Sequence, residues 1–272
     1  MSEAEAAAAK SDLPVRAAAG AAMIAVAVAA IYFGGWPFRI LVGLAAALML
    51  IEWCDMHKLR RTWPVVGLAM LAVNLWLLPE VVFPSAQFDG EPAHDVWYGL
   101  AAAAGFALLL GFVSRSMRLA GGYLYVAIPS FALLILNWLS WEAVFWAMIV
   151  TWSTDTFAYF AGRSIGGPKL APKISPNKTW AGLIGGMAGA ALLGWITAHL
   201  FRLDAAFLYS GALMGLLAQA GDLYESWVKR QAGVKDSGTL LPGHGGVLDR
   251  LDGLLPVIVA ALVVTAAGTW AA

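Results

Sequence analysis

The sequence predicts an all-α protein that crosses a membrane about nine times and begins in the cytoplasm. Of its 272 residues, 61% are hydrophobic and only 12% are charged. A soluble domain of this size leaves roughly a quarter of its chain surface exposed, and these few polar residues could not cover it. The composition therefore excludes an ordinary soluble enzyme, a disordered chain and a basic nucleic-acid-binding protein.

The apolar residues form nine segments close to the roughly 20 residues that a membrane-spanning helix needs. The segments are residues 14–34, 36–55, 63–83, 95–114, 119–139, 141–162, 180–201, 205–228 and 253–271. In the fifth segment, Pro129 interrupts the helical hydrogen bonding and favours a kink. The seventh has overlapping GxxxG spacings at Gly182, Gly185, Gly186 and Gly189, which predict close packing against a neighbouring helix.

The distribution of Lys and Arg orients these segments. With the N-terminus in the cytoplasm, all of the 17 Lys and Arg residues except Arg39 and Arg202 lie on the cytoplasmic side. Cytoplasmic loops of membrane proteins carry such an excess of cations. The loop 84–94 on the opposite side is acidic, and nine spans place the C-terminus there as well.

Residues 141–272 differ from the N-terminal transmembrane region, residues 1–140 with about five spans, because they hold two polar regions rich in Gly and Pro. The first begins at Asp155, inside an apolar helix. An ionised carboxylate there costs about 2.5–3.5 kcal/mol, so it needs a partner or a function.

The cytoplasmic loop 163–179 follows Asp155 and ends just before the seventh span. Ser175 either caps the next helix or donates to a bound phosphate, and the sequence leaves both interpretations open. Capping does not explain Lys178, because a cation is unfavourable near a helix N-terminus. An anionic ligand shared with the helix-end amides would explain it.

The second polar region comprises the cytoplasmic loop 229–252 and the helix before it. Asp222, Glu225, Ser226 and Lys229 share one helix face, and the loop adds further acids, cations and glycines. Carboxylates bind Mg²⁺, which commonly bridges to substrate phosphates, and nearby cations neutralise the remaining phosphate charge. These residue types suit phosphoryl or nucleotidyl transfer, although local ion pairs in a solvated loop are the alternative.

Residues 226–252 carry a distinctive pattern. It reads Ser226-x-Val228-Lys229-Arg230, Lys235-Asp236-x-Gly238 and Leu241-Pro242-x-His244-Gly245-Gly246-Val247-x-Asp249-Arg250-Leu251-Asp252. This pattern resembles the signature of the phosphatidate cytidylyltransferases, also called CDP-diacylglycerol synthases. The stretches Asp155-Thr156-Phe157-Ala158-Tyr159 and Ser175-Pro176-x-Lys178-Thr179 also resemble that family, whereas Ala181 stands where relatives often have Glu.

The resemblance implies that residues 141–272 form a catalytic transmembrane region. The implied reaction converts CTP and phosphatidic acid into CDP-diacylglycerol and pyrophosphate with Mg²⁺, while Mn²⁺ and an additional monovalent cation stay open. A homodimer in a bacterial inner membrane is expected, with its active site on the cytoplasmic side and no nucleic-acid partner.

The resemblance also implies roles for individual residues. Asp222 and Asp249 are the expected metal ligands, and Asp155 either completes the metal site or holds a cation in place. The cations expected to contact phosphates are Lys178, Lys229, Arg230, Lys235 and Arg250. The expected substrate-binding residues are Ser175, Thr179, Ser226, His244, Gly245 and Gly246. Alternatively, Asp249 only complements the dipole of the ninth helix and His244 only stabilises a turn.

Two rival functions remain from the sequence. Membrane polyprenol or phytol kinases and archaeal CDP-archaeol synthases handle related substrates. A carrier would use Asp155 and Asp222 as coupling sites and would carry charges near the middle of the membrane. The clustering of charges on one side favours an enzyme supplied with a cytosolic nucleotide.

Overall fold

The computed structural model describes residues 13–77, 92–240 and 245–271 and is nearly all-α, as predicted. Its helices, numbered in chain order, are α1 Leu13–Phe33, α2 Gly35–Met56, α3 Thr62–Ala72, α4 Pro92–Ser114, α5 Met117–Leu139, α6 Trp141–Ser164, α7 Trp180–Phe201, α8 Ala205–Ala232, α9 Leu248–Leu251 and α10 Leu254–Ala271. A π-helical turn, Val73–Leu77, continues α3. Within the described residues, each predicted apolar segment is helical.

Three of these helices, Gly35–Met56, Met117–Leu139 and Trp180–Phe201, are long and apolar enough to cross a membrane. The shorter apolar helical segments are Gly20–Phe33, Thr62–Trp76, Tyr98–Ser114 and Leu254–Ala266. These helices agree with a membrane protein. The count of nine spans and the cytoplasmic N-terminus stay predictions.

An antiparallel hairpin interrupts the helices and corrects the purely all-α prediction. Its strands are β1, Lys169–Ala171, and β2, Ser175–Thr179, with Ala171 opposite Ser175. Both Ala171 and Ser175 precede a proline, and a residue before proline disfavours the helical conformation and favours the extended one. The prolines therefore hold this short loop in strands rather than in a continuation of either helix.

Helix α7 begins at Trp180, and its N-cap is Thr179, whose hydroxyl accepts a hydrogen bond from the Gly182 N–H at 3.0 Å. The interpretation of Ser175 as the cap is therefore wrong, because Ser175 lies at the start of β2, a whole strand before the helix. Thr179 provides the side-chain oxygen that the first turn of α7 requires.

Glycines hold α6, α7 and α8 together. A Cβ added at Gly182 would lie 3.0 Å from the Ala158 carbonyl oxygen, and one at Gly186 would lie 2.9 Å from that of Thr154. On the other side of α7, a Cβ added at Gly211 of α8 would lie 2.6 Å from the Ala190 carbonyl oxygen. The predicted close packing of the seventh span is confirmed. It fixes the backbones that carry both polar regions.

Helix α5 is the most buried of the three long apolar helices and contacts α2, α4 and α10. It runs as one helix through Pro129. Its far end is tied to α1, because the Asn137 side-chain amide donates to the Ile31 carbonyl at 3.1 Å. Through α5, the N-terminal helices form one body with the helices that carry the polar regions.

Candidate active site

Lys178 connects the two polar regions. It lies on β2, one residue before the N-cap of α7, and its Nζ is 2.7 Å from Asp222 Oδ2 on α8. The same Nζ donates to Gln219 Oε1 at 2.9 Å. A cation at this helix N-terminus needs an anion nearby, and the protein itself provides one, the carboxylate of Asp222.

Asp155 of α6 belongs to the same cluster. Its carboxylate is repelled by Asp222 and attracted by Lys178 and Arg250. Asp252 adds a further carboxylate, which repels Asp155 and Asp222. Burial, and next the negative charge of Asp222, raise the pKa of Asp252 above its ordinary value. The predicted role of Asp155, either in completing a metal site or in holding a cation, stays a prediction.

A second cluster is buried one turn further along α8. Glu225 is fully buried, and Lys229, 9% exposed, contacts its carboxylate and lies 2.6 Å from Asp249 Oδ1. On the same helix, Ser226 donates to Asp222 Oδ1 at 3.3 Å. The four residues predicted to share one face of this helix therefore contact each other in two pairs, Asp222 with Ser226 and Glu225 with Lys229.

Asp249 is held in place by the loop around it. The Ser237 N–H donates to both of its carboxylate oxygens, at 3.0 and 3.2 Å, and the Gly246 N–H donates to Oδ2 at 2.8 Å. Burial would raise the pKa of Asp249, but the hydrogen bonds from Lys229, Gly246 and Ser237 outweigh it and hold the pKa below its ordinary value. Asp249 is therefore an ionised carboxylate with well-defined partners.

Gly245 lies beside this carboxylate in a conformation that only glycine adopts easily. Its φ is +81°, and an added Cβ would lie 2.7 Å from Asp249 Oδ2. The backbone at Gly245 and Gly246 thus approaches a carboxylate of the protein itself, and the predicted contact of these glycines with substrate stays a prediction.

Arg230, Lys235 and His244 were also predicted to belong to the site. Arg230 donates to the backbone carbonyls of Ile174, at 3.3 Å, and Val234, at 3.1 Å, so it ties the hairpin to the end of α8. Lys235 is exposed on the loop that follows. His244 lies outside the described residues.

Comparisons with known proteins identify the family of this chain. Residues 14–267 match the cytidylyltransferase family. The chain belongs to this family.

Three curated relatives carry the name phosphatidate cytidylyltransferase. The relative from Brucella abortus biovar 1 (strain 9-941) is 40% identical over 225 residues, covering 80% of this chain and 79% of the relative. That from Bacillus subtilis (strain 168) is 33% identical, covering 83% and 87%. That from Haemophilus influenzae (strain ATCC 51907 / DSM 11121 / KW20 / Rd) is 30% identical, covering 87% and 92%. These matches confirm the resemblance and the predicted enzyme class.

A divalent cation fits this cytidylyltransferase site by charge, although not by a ready-made ligand group. Among the residues that the structure describes, no three His, Cys, Asp or Glu side chains already form such a group. The acids Asp155, Asp222, Glu225, Asp249 and Asp252 nevertheless outnumber the nearby cations Lys178, Lys229 and Arg250. An oxygen-binding cation such as Mg²⁺ would offset the excess negative charge.

Gln219 and Glu52 are among the polar residues of this site that had no assigned role in the sequence analysis. Gln219 binds Lys178, and Glu52 of α2 accepts hydrogen bonds from the loop that surrounds Asp249. The sequence did indicate that Glu52 needs a partner or a function, because this acid lies inside an apolar segment, as Asp155 does. Its partners could not be inferred, since they lie far along the chain.

Proposed function

We propose that this chain catalyses the Mg²⁺-dependent transfer of a cytidylyl group from CTP to phosphatidic acid. The products are CDP-diacylglycerol and pyrophosphate. The observation that supports this proposal is the meeting of two lysine–carboxylate pairs, Lys178–Asp222 and Lys229–Asp249, in a member of the cytidylyltransferase family. The names of the bacterial relatives support the choice of phosphatidate as acceptor.

In this reaction, a phosphate oxygen of phosphatidate attacks the α-phosphorus of CTP. The bond from that phosphorus to the oxygen bridging to the β-phosphate breaks, and pyrophosphate leaves with the electron pair. A phosphate monoester has a second pKa near 6, so the nucleophile is largely ionised at neutral pH and needs no strong base. The enzyme must instead bring two anions together and align them.

The cations of the site supply this charge compensation. Lys178 and Lys229 are held by carboxylates, and phosphate oxygens compete with those carboxylates for the same ammonium groups. Arg250, next to Asp155, is placed to contribute, while Arg230 and Lys235 bind the outer phosphates or the lipid headgroup. The proposed substrate donors, besides these cations, are Ser175, Thr179, Ser226, His244, Gly245 and Gly246.

The proposed metal ligands are Asp155, Asp222 and Asp249. Bound Mg²⁺ supplies charge neutralisation between the two phosphates, and Mn²⁺ or an additional monovalent cation would serve similar chemistry. Asp249 already accepts hydrogen bonds from Lys229, Ser237 and Gly246, which use about four lone-pair sites of its carboxylate. Binding through Asp249 therefore requires one of these donors to move away.

The proposed setting is a bacterial inner membrane, with the site on the cytoplasmic side and the enzyme a homodimer. The one-sided distribution of Lys and Arg supports this orientation. The bacterial origin of the relatives supports the choice of membrane.

The test uses detergent-solubilised protein, phosphatidate and CTP labelled either in cytidine or in the γ-phosphate. Cytidine label should enter the lipid phase only when both phosphatidate and Mg²⁺ are present, and chelation of Mg²⁺ should abolish it. Transfer of the γ-phosphate to a polyprenol or to phytol would instead identify a CTP-dependent kinase. No transfer to any lipid would contradict the enzymatic proposal and favour the carrier.

A further inference from the structure

Glu52, near the end of α2, is a buried carboxylate that reaches the signature loop. It is 7% exposed and lies in the N-terminal part of the chain, which contributes none of the expected site residues. Its two oxygens accept hydrogen bonds from the Ser237 hydroxyl at 3.1 Å, the Val247 N–H at 2.8 Å and the Leu248 N–H at 2.9 Å. These donors lie more than 180 residues away along the chain.

The loop leaves room for this carboxylate by means of glycines. The three atoms nearest to a Cβ added at Gly238 all belong to Glu52, at 2.8, 3.0 and 3.0 Å. A Cβ added at Gly246 would overlap the Ser237 hydroxyl and would lie 2.5 Å from Glu52 Oε2. Glu52, together at Gly246 with the Ser237 hydroxyl that it binds, therefore accounts for two glycines of the signature independently of any substrate.

The residues that bind Glu52 also hold Asp249. Ser237 donates its hydroxyl to Glu52 and its backbone N–H to Asp249. The backbone N–H groups of two consecutive residues also donate to different carboxylates: that of Gly246 donates to Asp249 and that of Val247 donates to Glu52. The loop is thus fixed between two carboxylates, one from α2 and one from α9.

We propose that Glu52 is a positioning residue: it holds Ser237, Gly238 and residues 246–248 of the loop in place and thereby places Asp249 in the active site. The importance of Asp249 for turnover rests on the proposed function, whereas the ordering of the loop does not. A carboxylate is costly to bury, and an apolar side chain could fill the same space. The carboxylate, unlike an apolar side chain, accepts hydrogen bonds from the Ser237 hydroxyl and from the N–H groups of Val247 and Leu248, which would otherwise be buried without partners.

The first experiment compares Glu52→Gln with Asp55→Asn. Both variants change a carboxylate of α2 to an amide, but Asp55 is exposed. In Glu52→Gln, the amide NH₂ faces N–H donors, so we expect faster hydrogen exchange of backbone amides in residues 237–251 with little change in α6. We also expect kcat/KM to fall by about tenfold to a hundredfold, as is typical when the support of a metal ligand is lost. Asp55→Asn should behave as wild type.

A second experiment tests the contact sterically and remains informative if Glu52→Gln fails to fold. Gly238→Ala should loosen the loop, because its methyl group overlaps Glu52. Shortening the acid in Gly238→Ala/Glu52→Asp should restore much of the exchange protection and activity that Gly238→Ala loses. Additive losses in the double variant would contradict the contact.

The outcomes separate this inference from the proposed function. Unchanged loop exchange in Glu52→Gln would overturn the inference, as would faster exchange with kcat/KM equal to that of Asp55→Asn. If the wild-type protein transfers no cytidylyl group to phosphatidate, the proposed function fails. The exchange measurement then still decides whether Glu52 orders the loop.

Discussion

The two lysine–carboxylate pairs of the site differ in their access to solvent. In the pair Lys178–Asp222, the side chains are 17% and 32% exposed, whereas in Lys229–Asp249 they are 11% and 8% exposed. The buried pair also includes Glu225, which is fully buried. An exposed pair contributes little stability and exchanges partners readily, while removal of one member of a buried pair leaves an uncompensated charge. We therefore expect Lys178 to exchange its carboxylate for substrate phosphate more readily than Lys229, which also maintains the architecture of the site.

The largest effect is expected for Lys229→Ala, which breaks the buried pair. It leaves Glu225 and Asp249 without their shared cation, so the free energy of unfolding should fall by about 3–5 kcal/mol and turnover should be lost. Thermal unfolding in detergent measures the first effect and cytidylyl transfer the second. Lys229→Ala/Glu225→Gln should recover part of the stability, and a single variant as stable as wild type would contradict the assignment.

Amide substitutions of Asp249 and Asp222 should each cost less stability than Lys229→Ala, and they should differ from each other. Asp249→Asn places an amide NH₂ among N–H donors, so it should cost about 1–3 kcal/mol of unfolding free energy and most of the activity. Asp222→Asn should lower turnover strongly with little loss of stability, because its pair is exposed. Unfolding and turnover measured over a range of Mg²⁺ concentrations provide the check. Near wild-type turnover of both variants at ordinary Mg²⁺ would contradict their role as metal ligands.

The smallest change in stability is expected for Lys178→Ala. Loss of this ion pair, which is only partly buried, should alter the unfolding free energy by about 1 kcal/mol, well below the loss expected for the buried pair. The KM for CTP should nevertheless rise, or kcat should fall, because one phosphate-neutralising cation is missing. Arg163→Ala, which removes an exposed cation from the end of α6, is the matched control. Unaltered kinetic constants in Lys178→Ala would remove Lys178 from the site.

The sequence predicted the helices well because each depends on a local run of apolar residues. The hairpin at Lys169–Thr179 was missed. Its strands depend on the preference of a residue before proline for the extended conformation, which is a weak signal beside the strong apolar patterns of the two neighbouring helices. The cap of α7 was misplaced for a related reason: a cap is defined only when the first residue of the helix is known. Thr179 and Ser175 are equally suitable as residue types.

The sequence singled out several residues of the candidate site, but it did not predict which of them contact each other. An acid in an apolar helix identified Asp155, and shared helix faces grouped Asp222 with Lys229. Nothing in the sequence determines that Lys178 meets Asp222 or that Glu52 meets Ser237, since such contacts depend on how helices pack. The signature identified the loop but gave no reason for two of its glycines, which the structure explains through Glu52.

The contact between α6 and α7 has a consequence for how this enzyme tolerates mutation. A Cβ added at Gly186 would lie 2.9 Å from the carbonyl oxygen of Thr154, next to Asp155, and one at Gly182 would lie 3.0 Å from that of Ala158, on the same helix. Where backbone meets backbone, there is no side chain whose rotation could absorb a larger neighbour. A methyl group added at Gly186 would therefore displace the main chain beside Asp155. Inherited changes at these glycines would impair the chemistry while leaving every charged residue of the site intact.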